Sequence, residues 1–314
     1  MLSLLFSGIT QAIFTCIVLL RSCLRKKFYS QFLVGVCLSS IGFLLTVLMN
    51  WMFVQGIPVF TAPGLCQMYV FCSHFFPFLA FLLSVSSALL ILYDLTRLKS
   101  VKWMNSPGAA KMWVIGLSIL AFTIYSYKTW THGAFRRKSR TECSVIPESE
   151  KAMEVLNAID LLLLLYLPTF CFLTFDIGLL SWTCSRAVKV SLSSIVVTVL
   201  KSSDDVYRRR HAEVLKIVLC YSVCFHLLVT PRAVSTSVVT FNRYVALYLC
   251  RHLQQVCSTV NQCLQILFYF FFAINPIFPF CVSSKFRRNV SVLFSQGCAK
   301  NIVQPQVRSP LVTL

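Results

Sequence analysis

The residues best placed to do chemistry in this chain are two charges inside otherwise apolar runs, Asp160 and Arg232. An ionised side chain within hydrocarbon is costly, so its presence points to function by default. The two would either pair with each other, or Arg232 would meet an acidic group or C-terminal carboxylate of a ligand. The plainer alternative puts Asp160 at the water interface and lets Arg232 snorkel outward. His74 and His226 read as packed or hydrogen-bonded helix residues rather than proton sensors. An enzyme is the least expected class, because there is no His-Glu-x-x-His, no Gly-x-Ser-x-Gly and no paired catalytic Asp motif in the spans. Fifteen cysteines are scattered rather than grouped in Cys-x-x-Cys pairs, which predicts no zinc site. No metal and no cofactor are expected.

Composition fixes what must hold those residues. The 314-residue chain is 57% hydrophobic and only 12% charged, where a soluble domain is nearer a quarter charged. Residues 28 to 93 contain no Asp, Glu, Lys or Arg. That is far more than the ~20 residues of one membrane span, so two helices must fit there. A net charge of +19 would suit nucleic acid, but the charges form short clusters between long apolar runs, and membrane topology accounts for them better. The reading is an all-α polytopic membrane protein: a seven-transmembrane helix bundle with a short juxtamembrane amphipathic helix.

Spans are predicted at about 2–20, 28–54, 65–93, 112–127, 155–175, 214–239 and 253–282. Residues 1–295 form the bundle with its juxtamembrane helix, and 296–314 a tail. Turn chemistry at Gly56-Ile57-Pro58 and Ala62-Pro63-Gly64 separates spans two and three. Lys111 and Lys128 are expected to snorkel at the ends of span four, and a polar stretch from about Lys128 to Lys151 leads to span five. Twenty of the 29 Lys and Arg residues fall on the face holding the odd connections and the tail, against nine on the other. The bias predicts a cytoplasmic C-terminus, an external N-terminus and an odd number of spans. The first helix starts at Met1 without an ectodomain; a truncated gene model and a reduced protein both fit. No internal repeat is visible, which counts against an inverted-repeat transporter.

Local motifs carry a family resemblance. Asn275-Pro276-Ile277-Phe278-Pro279, followed by Ser283-Ser284-Lys285-Phe286-Arg287-Arg288, resembles the Asn-Pro-x-x-Tyr ending and basic amphipathic helix of rhodopsin-like (class A) G-protein-coupled receptors. Pro276 removes a backbone hydrogen bond inside the membrane, and Asn275 can re-satisfy freed groups. Phe286, Val290, Leu293 and Phe294 recur at helical spacing. Phe225, Leu228, Val229, Thr230 and Pro231 fall at the offsets of the family's Phe-x-x-Cys-Trp-x-Pro, and Pro168 stands where span five carries its proline. The resemblance implies a disulfide between Cys66 and Cys143, a palmitoylated cysteine at Cys298, and a ligand cavity near Asp160, Arg232, Gln265 and either Ser73 or Pro77. It implies plasma-membrane residence, an extracellular ligand, a heterotrimeric G protein and membrane lipids as partners, with a dimer with other receptors allowed. Nucleic acid is not among them.

The departures cluster at the family's switches. Ser40 stands where span two carries its acid, and Pro279 replaces the Tyr of the seventh-span motif. Asp176 stands at the fifth span's usual Tyr. Asp94-Leu95-Thr96 aligns with Asp-Arg-Tyr, and Leu95 cannot supply the guanidinium. Arg97 lies about 200° around the helix from Leu95 and cannot replace it. Virus-encoded chemokine-type receptors show similarly loosened motifs. Neither Ser73 nor Pro77 is acidic, against an aminergic receptor, and span seven has no Lys for a retinal. The expected function is an atypical receptor for a peptide or other charged ligand, signalling through a G protein or constitutively. The alternatives are a receptor-shaped modulator that engages no G protein and, behind it, a transporter or channel.

Overall fold

In a computed structural model, residues 1–62, 64–96, 106–137, 140–192, 201–241 and 254–299 are described. Seven helices among them are long and apolar enough to cross a membrane: Leu2–Arg21, Phe28–Val54, Leu65–Tyr93, Pro107–Thr131, Pro147–Trp182, Leu215–Ser237 and Ser258–Val282. The protein is a multi-pass, seven-helix membrane protein, as its apolar run lengths demand.

Several ends differ from the expected ones, for local reasons. Span four begins at Pro107 rather than near 112, because Ser106 caps it. The Ser106 hydroxyl accepts from the Ala109 N–H at 3.1 Å, and Pro107 sits at the first helical position. Span four also continues to Thr131, and span five to Trp182. Between spans two and three, Gly56 adopts φ 89°, the left-handed turn that its sequence neighbourhood predicts.

The stretch expected to be merely polar holds an antiparallel hairpin. β1 (His132–Arg137) pairs with β2 (Arg140–Val145), with Ala134 opposite Cys143 and His132 opposite Val145. Cys143 is disulfide-bonded to Cys66 at the start of span three, which ties the hairpin across that end of the bundle.

Spans two and three form the centre and span four is peripheral, with only 22% of its apolar window buried against 56% for each of the other two. The central spans are also the more apolar ones, but lipid tails are as apolar as a core, so it is the fit between side chains that holds the helices together. That fit is aromatic. The buried Phe81 ring meets Phe225, Phe268, Phe271 and Phe272 at centroid distances of 5.1–6.3 Å, joining span three to spans six and seven. Such pairs add about 0.5–1.5 kcal/mol each beyond their area.

Span one packs on span seven through Gly8. A Cβ there would lie 2.8 Å from the Ala273 Cα, a backbone atom that cannot swing away. Gly8→Val is therefore expected to cost about 1–3 kcal/mol by overpacking, read as a lower melting temperature of the purified protein. An unchanged melting temperature would mean that the two helices do not approach so closely.

The last helix, Ser284–Ala299, is the amphipathic one that the sequence predicts. Phe286 and Val290 pack against Val18, Leu19 and Leu24 beside span one. Ser283 caps it, accepting from the Phe286 N–H at 3.2 Å, and Arg287 donates to the carbonyls of Phe280 and Cys281 at the end of span seven.

Candidate functional site

A cavity of about 330 Å³ lies among spans two, three, five, six and seven, toward the end that the hairpin covers. Its size falls at the lower end of the ~300–1,000 Å³ usual for small-ligand sites. Aromatic walls come from Phe43, Tyr69, Phe268 and Tyr269, and polar groups from Asn50, Asn157, Thr236 and Gln265. Asp160, Arg232, Ser73 and Gln265, four of the five residues expected here, do line it. The fifth, Pro77, does not: it is buried about one turn farther from the hairpin than Ser73, about 6 Å along the helix.

The expected Asp160–Arg232 ion pair is replaced by another. Lys128 Nζ lies 2.6 Å from Asp160 Oδ2, and the Tyr127 hydroxyl donates to Asp160 Oδ1 at 2.7 Å. Lys128 does not snorkel; it is 1% exposed. The reason is the extra length of span four, which carries Lys128 past the expected helix end and under the hairpin root. Asp160 is likewise buried, not at a water interface.

Arg232 keeps no carboxylate among the described residues. Its guanidinium carbon lies 5.4 Å from the centre of the Phe268 ring, a cation–π contact, and one terminal nitrogen is buried without a hydrogen-bond partner. Ser73 and His74 face the same space, their side chains bonded to each other at 3.1 Å and to the Val70 carbonyl at 2.9 Å each. Gln265 donates to the Tyr269 hydroxyl. At the hairpin root, burial and then the Lys128 ammonium hold the His132 imidazole below its ordinary pKa.

The chain matches no protein-family model and no curated protein. The resemblance to rhodopsin-like receptors is therefore one of local motifs alone.

Those motifs sit at breaks in the helices. A π-helical turn, Leu162–Tyr166, precedes Pro168, whose missing N–H and ring bulk disfavour the regular ladder there. Span six is interrupted at Val229, just before Thr230 and Pro231 begin the next helix, Thr230–Phe241. Asn275–Ile277 tightens to a 3₁₀ turn, and the carbonyl of Pro276 accepts from the Thr15 hydroxyl of span one at 2.8 Å. The Asn275 amide, expected to re-satisfy freed backbone, instead donates to the Tyr221 hydroxyl at 3.4 Å. Phe225 is fully buried, edge-on to Phe81. Ser40 donates to the Val36 carbonyl in its own helix. The side chains of Asp94, Leu95 and Cys298 lie outside the described residues, as do those of Arg136, Arg137, Lys138 and Arg140 in the hairpin.

Sequence reasoning missed Lys128 and Tyr127 as partners of Asp160. The one available signal was the carboxylate itself, which needs a buried cation somewhere. A second polar pair joins spans five and six nearer the opposite end: Asp176 accepts from Ser222 at 2.7 Å and lies 3.4 Å from His226 Nε2.

Proposed function

We propose that this chain is an atypical rhodopsin-like receptor of the plasma membrane, with the hairpin and cavity outside and the basic connections in the cytoplasm. The observation that carries the reading is the cavity between five spans, lined by the Arg232 cation, which meets no carboxylate among the described residues. Its walls belong to the spans whose proline breaks lie at Pro168, Pro231 and Pro276. A charged ligand there, a peptide included, would bias two packings of spans five to seven and open a pocket on the cytoplasmic side. The helix Ser284–Ala299, with Cys298 as a lipidation site, would hold that side at the bilayer. No reaction chemistry is assigned to the chain.

Leu95 favours a second reading, a modulator that shapes other receptors without engaging a G protein, because the family's arginine is absent from that position. Expressing the chain alone and measuring nucleotide exchange on heterotrimeric G proteins separates the two. The receptor reading expects exchange above that of mock-transfected cells, raised further in Leu95→Arg. Exchange in neither protein would favour the modulator, and solute or ion flux through purified protein would overturn both.

A further inference from the structure

We infer that the cavity takes a single carboxylate carried on an aromatic body, with the carboxylate on Arg232 and no place for a ligand ammonium. The inference deepens the receptor reading in naming the ligand, but it concerns binding alone and can stand without signalling.

Charge fixes the sign. Among the described residues Asp160 is the only acidic one lining the cavity, and it is already engaged by Lys128 at 2.6 Å and Tyr127 at 2.7 Å. An incoming ammonium would have to displace a buried ion pair to reach it, so an amine is rejected. Arg232 has the opposite status. One of its nitrogens is buried and unbonded among the described residues, and its guanidinium lies over the face of Phe268. A planar guanidinium with a free nitrogen matches a carboxylate, the group to which an arginine fork donates best. A ligand with one negative charge would neutralise the site, whereas a second would be left unpaired.

Shape fixes the body. Phe43, Tyr69, Phe268 and Tyr269 supply flat walls, and a cavity of about 330 Å³ suits one ring system and a short acid arm better than an extended peptide. Two sources share this chemistry: a free aryl or indolyl acid, and the C-terminal Phe or Trp of a peptide whose remaining residues would lie outside.

The test uses the purified full chain in neutral-lipid nanodiscs, with thermal unfolding as the readout. The probes are indole-3-acetate and indole-3-acetamide, a tripeptide ending in Trp with a free or amidated C-terminus, tryptamine, and sodium chloride. The acids should raise the melting temperature in a saturable way, while the amides, tryptamine and chloride should not. Protection by indole-3-acetate indicates the free acid as source, and protection by the tripeptide acid alone indicates the peptide. Arg232→Gln should bind roughly 10- to 100-fold more weakly, and Arg232→Lys should recover only part of the loss. If Arg232→Gln does not fold, Thr236→Cys, with Arg232 intact, replaces it. Maleimide labelling of that cavity cysteine, measured against the parent chain, should be slowed by the acid and not by the amide. Equal effects of acid and amide, protection by chloride alone, or no protection by any acid would overturn the inference. Acid binding without G-protein activation would leave it standing and remove the receptor reading; signalling without any acid effect would do the reverse.

Discussion

Lys128→Met is expected to be among the most damaging single substitutions in the bundle. Asp160 would keep the Tyr127 hydroxyl at 2.7 Å and lose the cation 2.6 Å away. Removing one partner of a buried ion pair costs about 3–5 kcal/mol, because the other charge is left stranded, whereas replacing both by apolar groups is often nearly neutral. Lys128→Met should therefore strip the protein from the cell surface and lower its melting temperature. The double change Lys128→Met with Asp160→Leu should restore most of the loss. A double variant as unstable as the single would show that the pair is not the source of the defect.

Cys66→Ser carries the second large effect. The disulfide links residues 77 apart in sequence, and loop entropy for that separation is worth about 4–5 kcal/mol in a free chain. Here span four, which lies between the two cysteines, is held by the bilayer, so the loss should fall on the hairpin rather than on the bundle. The variant should retain its helices and become cleavable by trypsin around Arg136 to Arg140, while the parent resists. Cys143→Ser should behave identically, and combining the two should add nothing. Equal trypsin resistance in parent and variants would mean that the hairpin is held by something else.

The spans were legible because length and charge-free runs leave a bilayer-crossing chain no choice: residues 28 to 93 must hold two helices, and they do. The amphipathic spacing of Phe286 and Val290 was legible for the same reason, since its period states which face is covered. Rotation of the spans about their own axes was not, because a helix apolar all round gives no sign of which side meets a neighbour. That is why Asp160 could be recognised as special without its partner. Lys128 looked like a snorkelling end residue until span four proved long enough to bury it. The contact of Asn275 with Tyr221 joins residues 54 apart in sequence and leaves no local trace. The hairpin escaped because His132–Arg137 and Arg140–Val145 are short and rich in Arg, with little alternation of apolar and polar residues.

The receptor reading depends on the hairpin facing out of the cell and the terminal helix facing in. Epitope tags placed after Lys138 and at the C-terminus, stained with impermeant antibody on intact and permeabilised cells, test this most directly. The account predicts that the hairpin tag is stained on intact cells and the C-terminal tag only after permeabilisation. Both tags stained on intact cells, or the C-terminal tag alone, would contradict it.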